Sequence, residues 1–423
     1  MWLIRWFGGN NLNAMNVLFL TLSFEIQNIE SSGIYTDLMR KFSSSGHSVY
    51  IVYPHERRTN LGTKLKKIDS IYTLGVKTLN VTKTGVIEKG IGQILIENQF
   101  KRAIKKYFKN VKFDLILYST PPITFTNVIK YVRRYNPDSV SYLLLKDIFP
   151  QNAIDLGMLT KTGLKSLIYK FFRKKEIVLY NVSDYIGCMS PANVKYVLEH
   201  NKWINPSKVE IAPNSYEVKT SSPMNLSDVN EIRKQYNLPV NKPIFVYGGN
   251  MGKPQGIPHL IECMNAVKER EDCHFLIVGS GTEYPKLEKW YNTAENIKSI
   301  SLFKHLPKED FNKLTSACDV GLIFLDYNFT IPNYPSRLMT YLIERKPVLA
   351  VSDPNTDVGY IAQENGYGFW CPSNSINLFV EAVDKMLKSD IKAMGDIGYD
   401  YYLNNYTIDH TYNAIISHLE QDV

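Results

Sequence analysis

Long apolar runs are missing from this 423-residue sequence. No stretch approaches the roughly twenty consecutive apolar residues that a transmembrane helix needs, so no helical span is expected. Cysteine is scarce. Cys188, Cys263, Cys273, Cys318 and Cys371 are odd in number, widely spaced and mostly set in apolar strand-like runs. That pattern excludes a disulfide framework or a zinc cluster and predicts reduced core thiols, as in a cytosolic protein. Also missing are any repeat of solenoid period, any low-complexity tract and any paired-aspartate metal motif. A repeat array is excluded, and neither a metal nor a cofactor is expected. The opening MWLIRWFGGNNLNA makes a poor secretory signal, because its apolar part is short and broken by Arg5. With MNVLFLTLSF already starting a strand at Met15, residues 1–14 read as an upstream extension.

What is present is an ordinary globular composition, 44% hydrophobic and 21% charged, in a chain long enough for two cored domains. The net charge of +8 hides an asymmetry. Residues 1–212 hold 30 Lys+Arg against 15 Asp+Glu, or +15, which leaves 19 against 26, or −7, for the rest. Only the first half is therefore expected to face an anionic partner, with nucleic acid and the inner leaflet of a membrane as candidates. The runs VLFLTL (17–22), SVYIVYP (48–54), DLILYST (114–120), VSYLLLKD (140–147) and YIGCMS (185–190) are apolar on both faces, as buried parallel strands are. IFVYGG (244–249), HFLIVGSG (274–281), IKSISLF (297–303), DVGLIFL (319–325) and PVLAVS (347–352) repeat the scheme. Helical patterns alternate with them, so two α/β domains with doubly wound sheets are predicted. Their expected limits are 15–212 and 229–395, with a linker at 213–228 and a helical segment at 396–423 that crosses back to the first domain.

Two loops of the second half carry the strongest chemical signal. PIFVYGGNMGKPQGIPHLIE (243–262) and CDVGLIFLDYNFTIPNYPSRLMTYLIERKPVLAVSD (318–353) each join a parallel strand to a helix start, where unpaired N–H groups can hold an anion. In the first loop, Gly248, Gly249 and Gly252 let backbone approach a phosphate, with Asn250 among them and Lys253 adding charge. In the second, Pro335 and Ser336 lead into a helix that Ser336 can cap, and Arg337 offers a planar fork for bidentate phosphate contact. The bland alternatives are a connecting turn and a surface arginine. Two such loops together imply a nucleotide diphosphate. VGSGTEYPKLE, with Gly279 and Gly281, and SLFKHLPKEDF, with Phe303, Lys304 and His305, follow further strands. In the first half, DIFPQNAIDLGML (147–159) places Asp147 at the carboxyl end of an apolar strand, where open α/β sheets bind ligands. A carboxylate there can accept the proton-side hydrogen bond of an attacking hydroxyl. Gly33, in IESSGIYTDL, follows the first strand and opens a helix.

Taken together, these segments resemble retaining glycosyltransferase family 4, and within it the bacterial enzymes that build surface polysaccharides on polyprenyl-diphosphate-linked acceptors. DIFPQNAIDLGML is similar to the Asp-Leu-Trp-Pro segment of those transferases, and PNYPSRLMTYL to the Pro-Ser-Lys/Arg start of the helix under their donor phosphates. The resemblance implies a GT-B fold, two Rossmann-like domains facing across a cleft. It implies a hexosyltransferase-type enzyme using a nucleotide-diphosphate sugar, with UDP as the expected nucleotide, for capsule, O-antigen or exopolysaccharide synthesis. Asp147, Arg337 and Lys253 take the catalytic places. Gly33, Gly248, Gly249, Asn250, Gly252, Gly279, Gly281, Phe303, Lys304, His305, Pro335, Ser336 and Glu344 take the donor-binding ones. The chain departs from the pattern where Asn250 and Gln255 replace a basic pair. Thr340 stands in place of the second residue of a Glu pair, with Glu344 one turn later as its partial substitute.

KTGLKSLIYKFFRKK (161–175) sets Leu164, Leu167, Ile168 and Phe171 on one helical face between Lys165, Lys170, Arg173 and Lys174, and KRAIKKYFKNVK (101–112) adds a second basic stretch. Such a helix suits a headgroup layer, which predicts a cytoplasmic protein held peripherally on the inner face of the plasma membrane. Two rival classes remain: a sugar-nucleotide epimerase on the same architecture, and a nucleic-acid-binding protein using the basic half. No recognised nucleic-acid module is present, so nucleic acid is not expected as a partner.

Overall fold

The computed structural model describes residues 14–82, 84–218 and 224–419. Most of the predicted upstream extension, residues 1–13, and part of the predicted linker, residues 219–223, lie outside them. Among the described residues the first sheet has eight strands, β1 (Asn16–Leu20), β2 (Ser48–Glu56), β3 (Lys64–Ile68), β4 (Ile71–Thr78), β5 (Leu115–Ser119), β6 (Val140–Leu145), β7 (Tyr185–Cys188) and β8 (Val209–Ile211), in the order β3-β4-β2-β1-β5-β6-β7-β8. Its helices are α1 (Ile34–Ser44), α2 (Val86–Tyr107), α3 (Thr126–Tyr135), α4 (Gln151–Asp155), α5 (Lys165–Val182) and α6 (Pro191–His200). β3 pairs antiparallel with β4, and the other pairings are parallel.

The second half opens with α7 (Leu226–Gln235) and builds a six-stranded parallel sheet from β9 (Ile244–Asn250), β10 (His274–Ser280), β11 (Ile300–Lys304), β12 (Val320–Phe324), β13 (Val348–Ser352) and β14 (Gly368–Pro372). The order is β11-β10-β9-β12-β13-β14. Between and after the strands come α8 (Ile257–Val267), α9 (Tyr284–Thr293), α10 (Lys308–Ser316), α11 (Arg337–Ile343), α12 (Val358–Glu364), α13 (Ile376–Leu387), α14 (Ile391–Asn405) and α15 (Ile408–Ile416).

Strands such as LILYS and VLAVS are buried along their whole length because helices cover both faces of each sheet. Each sheet accordingly separates two hydrophobic clusters. The five cysteines sit in this interior, free and buried. Burial pushes the thiols of Cys188, Cys273, Cys318 and Cys371 up to about 12.

Strand order reverses between β1 and β5 in the first sheet and between β9 and β12 in the second, and ligands of open α/β sheets bind beyond the carboxyl ends of the strands at such points. The start of the expected linker is no solvated tether. Residues 213–215 are buried, and Lys146 Nζ donates to the Ala212 and Pro213 carbonyls at 2.9 and 3.1 Å. α15 lies against α1, with the Tyr412 and Phe42 ring centroids 5.0 Å apart and Tyr412 hydroxyl 3.0 Å from His47 Nε2.

Candidate active site

The two phosphate-type loops leave β9 and β12, the strands that flank the reversal in the second sheet. β10 pairs with both β9 and β11 in a register that sets Gly249, Gly279 and Lys304 in one row at the carboxyl edge. The glycines of this edge are not equivalent. A Cβ on Gly248 would meet the Phe311 ring at 1.9 Å, and one on Gly279 would meet the Gly249 carbonyl oxygen at 2.0 Å. Both positions are therefore glycine for internal packing, which for Gly248 is a reason different from the phosphate approach expected of it. Gly281 likewise abuts Met251 backbone. Gly249 is different: its φ is 115°, which favours glycine, and its open side faces Arg337 Nη2, 3.6 Å from an added Cβ.

Arg337 is not the surface arginine of the bland alternative. Its guanidinium stacks on the Tyr247 ring at 4.5 Å from the centroid, and Nη2 lies 3.5 Å from the Asn250 carbonyl, across 87 residues of sequence. Nη1 is buried with no hydrogen-bond partner. Ser336 occupies the N-cap position of α11 but its side chain makes no capping bond, contrary to expectation. In the first loop, Gln255 Oε1 accepts from the Gly252 N–H at 2.9 Å and the Asn250 amide at 3.0 Å, so Asn250 and Gln255 brace the turn, and Lys253 is exposed on it.

Other expected donor residues lie apart from this pair. Glu344 closes α11 seven residues beyond Arg337, roughly 10 Å along the axis, where its charge acts on Lys346. Lys304 pairs with Glu288 at 3.3 Å, Phe303 packs near Tyr236, and His305 is exposed in the loop after β11. Gly33 is the N-cap of α1, yet its N–H donates to the Asp37 carboxylate at 3.0 Å, so the chain supplies its own anion there.

In the first domain the end of β6 is held by Thr120. Its hydroxyl donates to the Asp147 carbonyl at 3.0 Å and accepts from the Lys146 and Asp147 N–H groups at 3.0 and 3.1 Å. Asn152 donates from Nδ2 to Asp147 Oδ1 at 2.6 Å. Asp147 lines a cavity of about 370 Å³ whose walls come from both domains: Tyr35, Thr120, Lys146 and Asn152 on one side, Pro254, Phe329 and Asn333 on the other. That volume falls in the range of small-molecule sites. Burial pushes the Tyr35 phenol up to about 12, with the charges of Glu25 and Asp147 adding to the effect. Pro254 belongs to the first loop, Phe329 and Asn333 to the second. Thr120, Tyr35, Lys146 and Tyr247 went unnoticed in the sequence. Only Asn152, inside the quoted DIFPQNAID, had a local signal.

The site pairs a carboxylate in an interdomain cavity with two anion-type loops, and the chain that builds it is similar to known proteins. Residues 228–399 match the family model described as glycosyl transferases group 1. The matched residues lie in the second half of the chain. WbjE of Pseudomonas aeruginosa, named as a glycosyltransferase, is 24% identical over 327 residues, covering 77% of this chain and 78% of WbjE. WcaI of Escherichia coli K12, whose name assigns it to colanic acid biosynthesis as a glycosyl transferase, is 26% identical over 188 residues, 44% of each chain. A solved glycosyltransferase from Rickettsia africae superposes with a TM-score of 0.66 at 14% identity, covering 97% of this chain and 100% of that one. Anabaena HepE, solved with UDP-glucose, gives 0.64 at 11% identity over 96% and 99%. The fold is GT-B, and the family model and the curated relatives support a glycosyltransferase with relatives in polysaccharide biosynthesis.

Proposed function

We propose that this glycosyltransferase moves a sugar, with retention at the anomeric carbon, from a UDP-sugar to a lipid-linked saccharide in surface-polysaccharide synthesis. The observation that carries the reading is Arg337. It is held under the Gly249–Asn250 turn with a buried, unpartnered Nη1, at the strand reversal of the group 1 domain. A buried cationic donor without a partner is unfavourable, and an anion that reaches it removes that cost. A diphosphate at this turn has the Arg337 fork beneath it and Lys253 beside it to take the charge that develops as the glycosidic bond breaks. Asp147 then accepts the hydrogen bond of the attacking hydroxyl on the same face of the sugar. The UDP-glucose in HepE and the colanic-acid assignment of WcaI support the donor and the polymer context.

The acceptor's lipid is supported by the surface of the first domain. Leu164, Leu167, Ile168 and Phe171 are 88, 65, 48 and 43% exposed rather than packed in a core. Crossover helices run antiparallel to their strands, so the first turns of α2 and α5 lie at the carboxyl edge of the sheet, where Asp147 follows the end of β6. Ile91, Ile94 and Leu95 of α2 are exposed at that edge too. An apolar, lysine-flanked rim beside the acceptor cavity fits the anionic inner face of a plasma membrane. Incubating the protein with a panel of sugar nucleotides and a synthetic polyprenyl-diphosphate-linked monosaccharide, with products read by mass spectrometry and their anomeric and sugar configuration by NMR, tests the reading. One UDP-sugar should extend the lipid with retained configuration. Donor conversion without any acceptor would point to an epimerase instead.

A further inference from the structure

The loop between β12 and α11 belongs to the second domain by sequence but is held by the first. Phe329 and Ile331 are 2% and 1% exposed and form part of the first domain's hydrophobic cluster. Asn193 Nδ2 donates to the Pro332 carbonyl at 2.9 Å, and Asn214 Nδ2 to the Tyr334 carbonyl at 3.0 Å. The densest contact is Asp155, the last residue of α4. Its carboxylate accepts from the Thr330 N–H at 2.9 Å, the Thr330 hydroxyl at 2.9 Å and the Ile331 N–H at 3.3 Å. Gln151 Nε2 donates to the same carboxylate at 2.7 Å and lies 3.3 Å from the Thr330 hydroxyl, so both ends of α4 meet the loop.

Asp155 therefore stands between two pieces of the machinery without touching either reacting group. Eight residues upstream on its own segment is Asp147; seven residues downstream of Thr330 is Arg337. Two backbone N–H groups and a hydroxyl converging on one carboxylate fix the loop in more than one direction, which a single bond would not do. We propose that Asp155 is a positioning residue for sugar transfer, registering the loop that leads to Arg337 against the segment that carries Asp147. The inference rests on the transferase reading above for its kinetic consequence, but not for its structural one.

The test compares Asp155→Ala and Asp155→Asn with the wild-type chain. In ligand-free protein, amide hydrogen exchange at 329–331 and through α11 should quicken in Asp155→Ala and return toward wild type in Asp155→Asn, which keeps one acceptor oxygen. In transfer assays with a UDP-sugar and a polyprenyl-diphosphate-linked monosaccharide, kcat of Asp155→Ala should fall about 10- to 100-fold, the size expected when reacting groups shift by about 1 Å. Its affinity for UDP by calorimetry should fall by less than kcat does, because the loosened loop leads to Arg337 while the first glycine loop keeps its own Gln255 bracing. Unchanged exchange in α11 would overturn the coupling whatever the substrates are. So would a kcat that stays at the wild-type level, or losses equal in both variants and accompanied by a lowered melting temperature. A wild-type chain that transfers no sugar would instead bring down the transferase reading, leaving the exchange result to judge the coupling.

Discussion

At the scale of single residues, the site depends on two side chains with different duties. Arg337 offers a planar, delocalised charge stacked on Tyr247, and lysine reproduces neither the stack nor the fork. Arg337→Ala should cost about 2–4 kcal/mol of transition-state stabilisation, with Arg337→Lys restoring only part of it. Near-native kcat/KM in the alanine variant would remove Arg337 from the mechanism. Asp147 is held through its backbone by Thr120 and through its carboxylate by Asn152. Asp147→Asn keeps the size and an acceptor oxygen for Asn152, so it should melt at the wild-type temperature and bind UDP normally while losing turnover. A variant that loses its cooperative melting transition while its surviving molecules work at full rate would make the residue structural.

At the scale of elements, α5 shows how one helix divides its residues. Leu179 and Tyr180 of its second half are buried in the core, whereas its first turns expose leucine, isoleucine and phenylalanine between lysines. Arg173, expected among the surface cations, is instead engaged internally. It pairs with Glu176 at 2.5 Å, donates to Asn201 at 2.6 Å and lies over the Trp203 ring. A charge-reversal test must leave it alone. Replacing Lys165, Lys170, Lys174 and Lys175 with Glu should release the protein from anionic vesicles in a sedimentation assay, since each basic residue near such a surface is worth about 1 kcal/mol. UDP binding, which belongs to the other domain, should not change. Equal sedimentation with neutral and anionic vesicles would show that the lysines face something else. α11 gives the opposite lesson about elements. Glu344, expected as a partial substitute for the residue at Thr340, closes α11 seven residues beyond Arg337, so the two ends of one short helix are set roughly 10 Å apart along its axis.

At the scale of the whole molecule, the two sheets are tied by the crossing at 212–217 and by the return of α14 and α15. Tyr216 N–H donates to the Tyr406 carbonyl at 3.3 Å, and Thr411 hydroxyl to that of Pro213 at 3.0 Å. Lys146 pins this crossing from below, and burial pushes its ammonium down to about 7. In the unfolded chain the group returns to about 10.4. Between those values the unfolded state binds more protons than the folded one, so this group opposes folding fully below about pH 7 and progressively less as pH rises. The melting temperature of the wild type should therefore climb relative to that of Lys146→Met between pH 7 and pH 9. Parallel melting curves across that range would place the lysine in a more solvated setting.

The sequence by itself determined the strands that are buried on both faces, because a parallel strand covered by helices must be apolar at every position, and that signal is local. The runs from VLFLTL to PVLAVS all became strands, whereas four others gave no such signal. β3 is a lysine-rich edge, β4 begins beside it, β8 is three residues long, and β14 ends in proline. The phosphate-type loops and the DIFPQNAID segment were equally legible, since glycine, proline and capping residues act within a few positions of themselves. Only the tertiary structure decided that Arg337 lies under Gly249, that Gly248 makes room for Phe311, and that Phe329 and Ile331 insert into the other domain's core. Those contacts join residues far apart in the chain, and their energy comes from packing and burial that exist only once both sheets have formed.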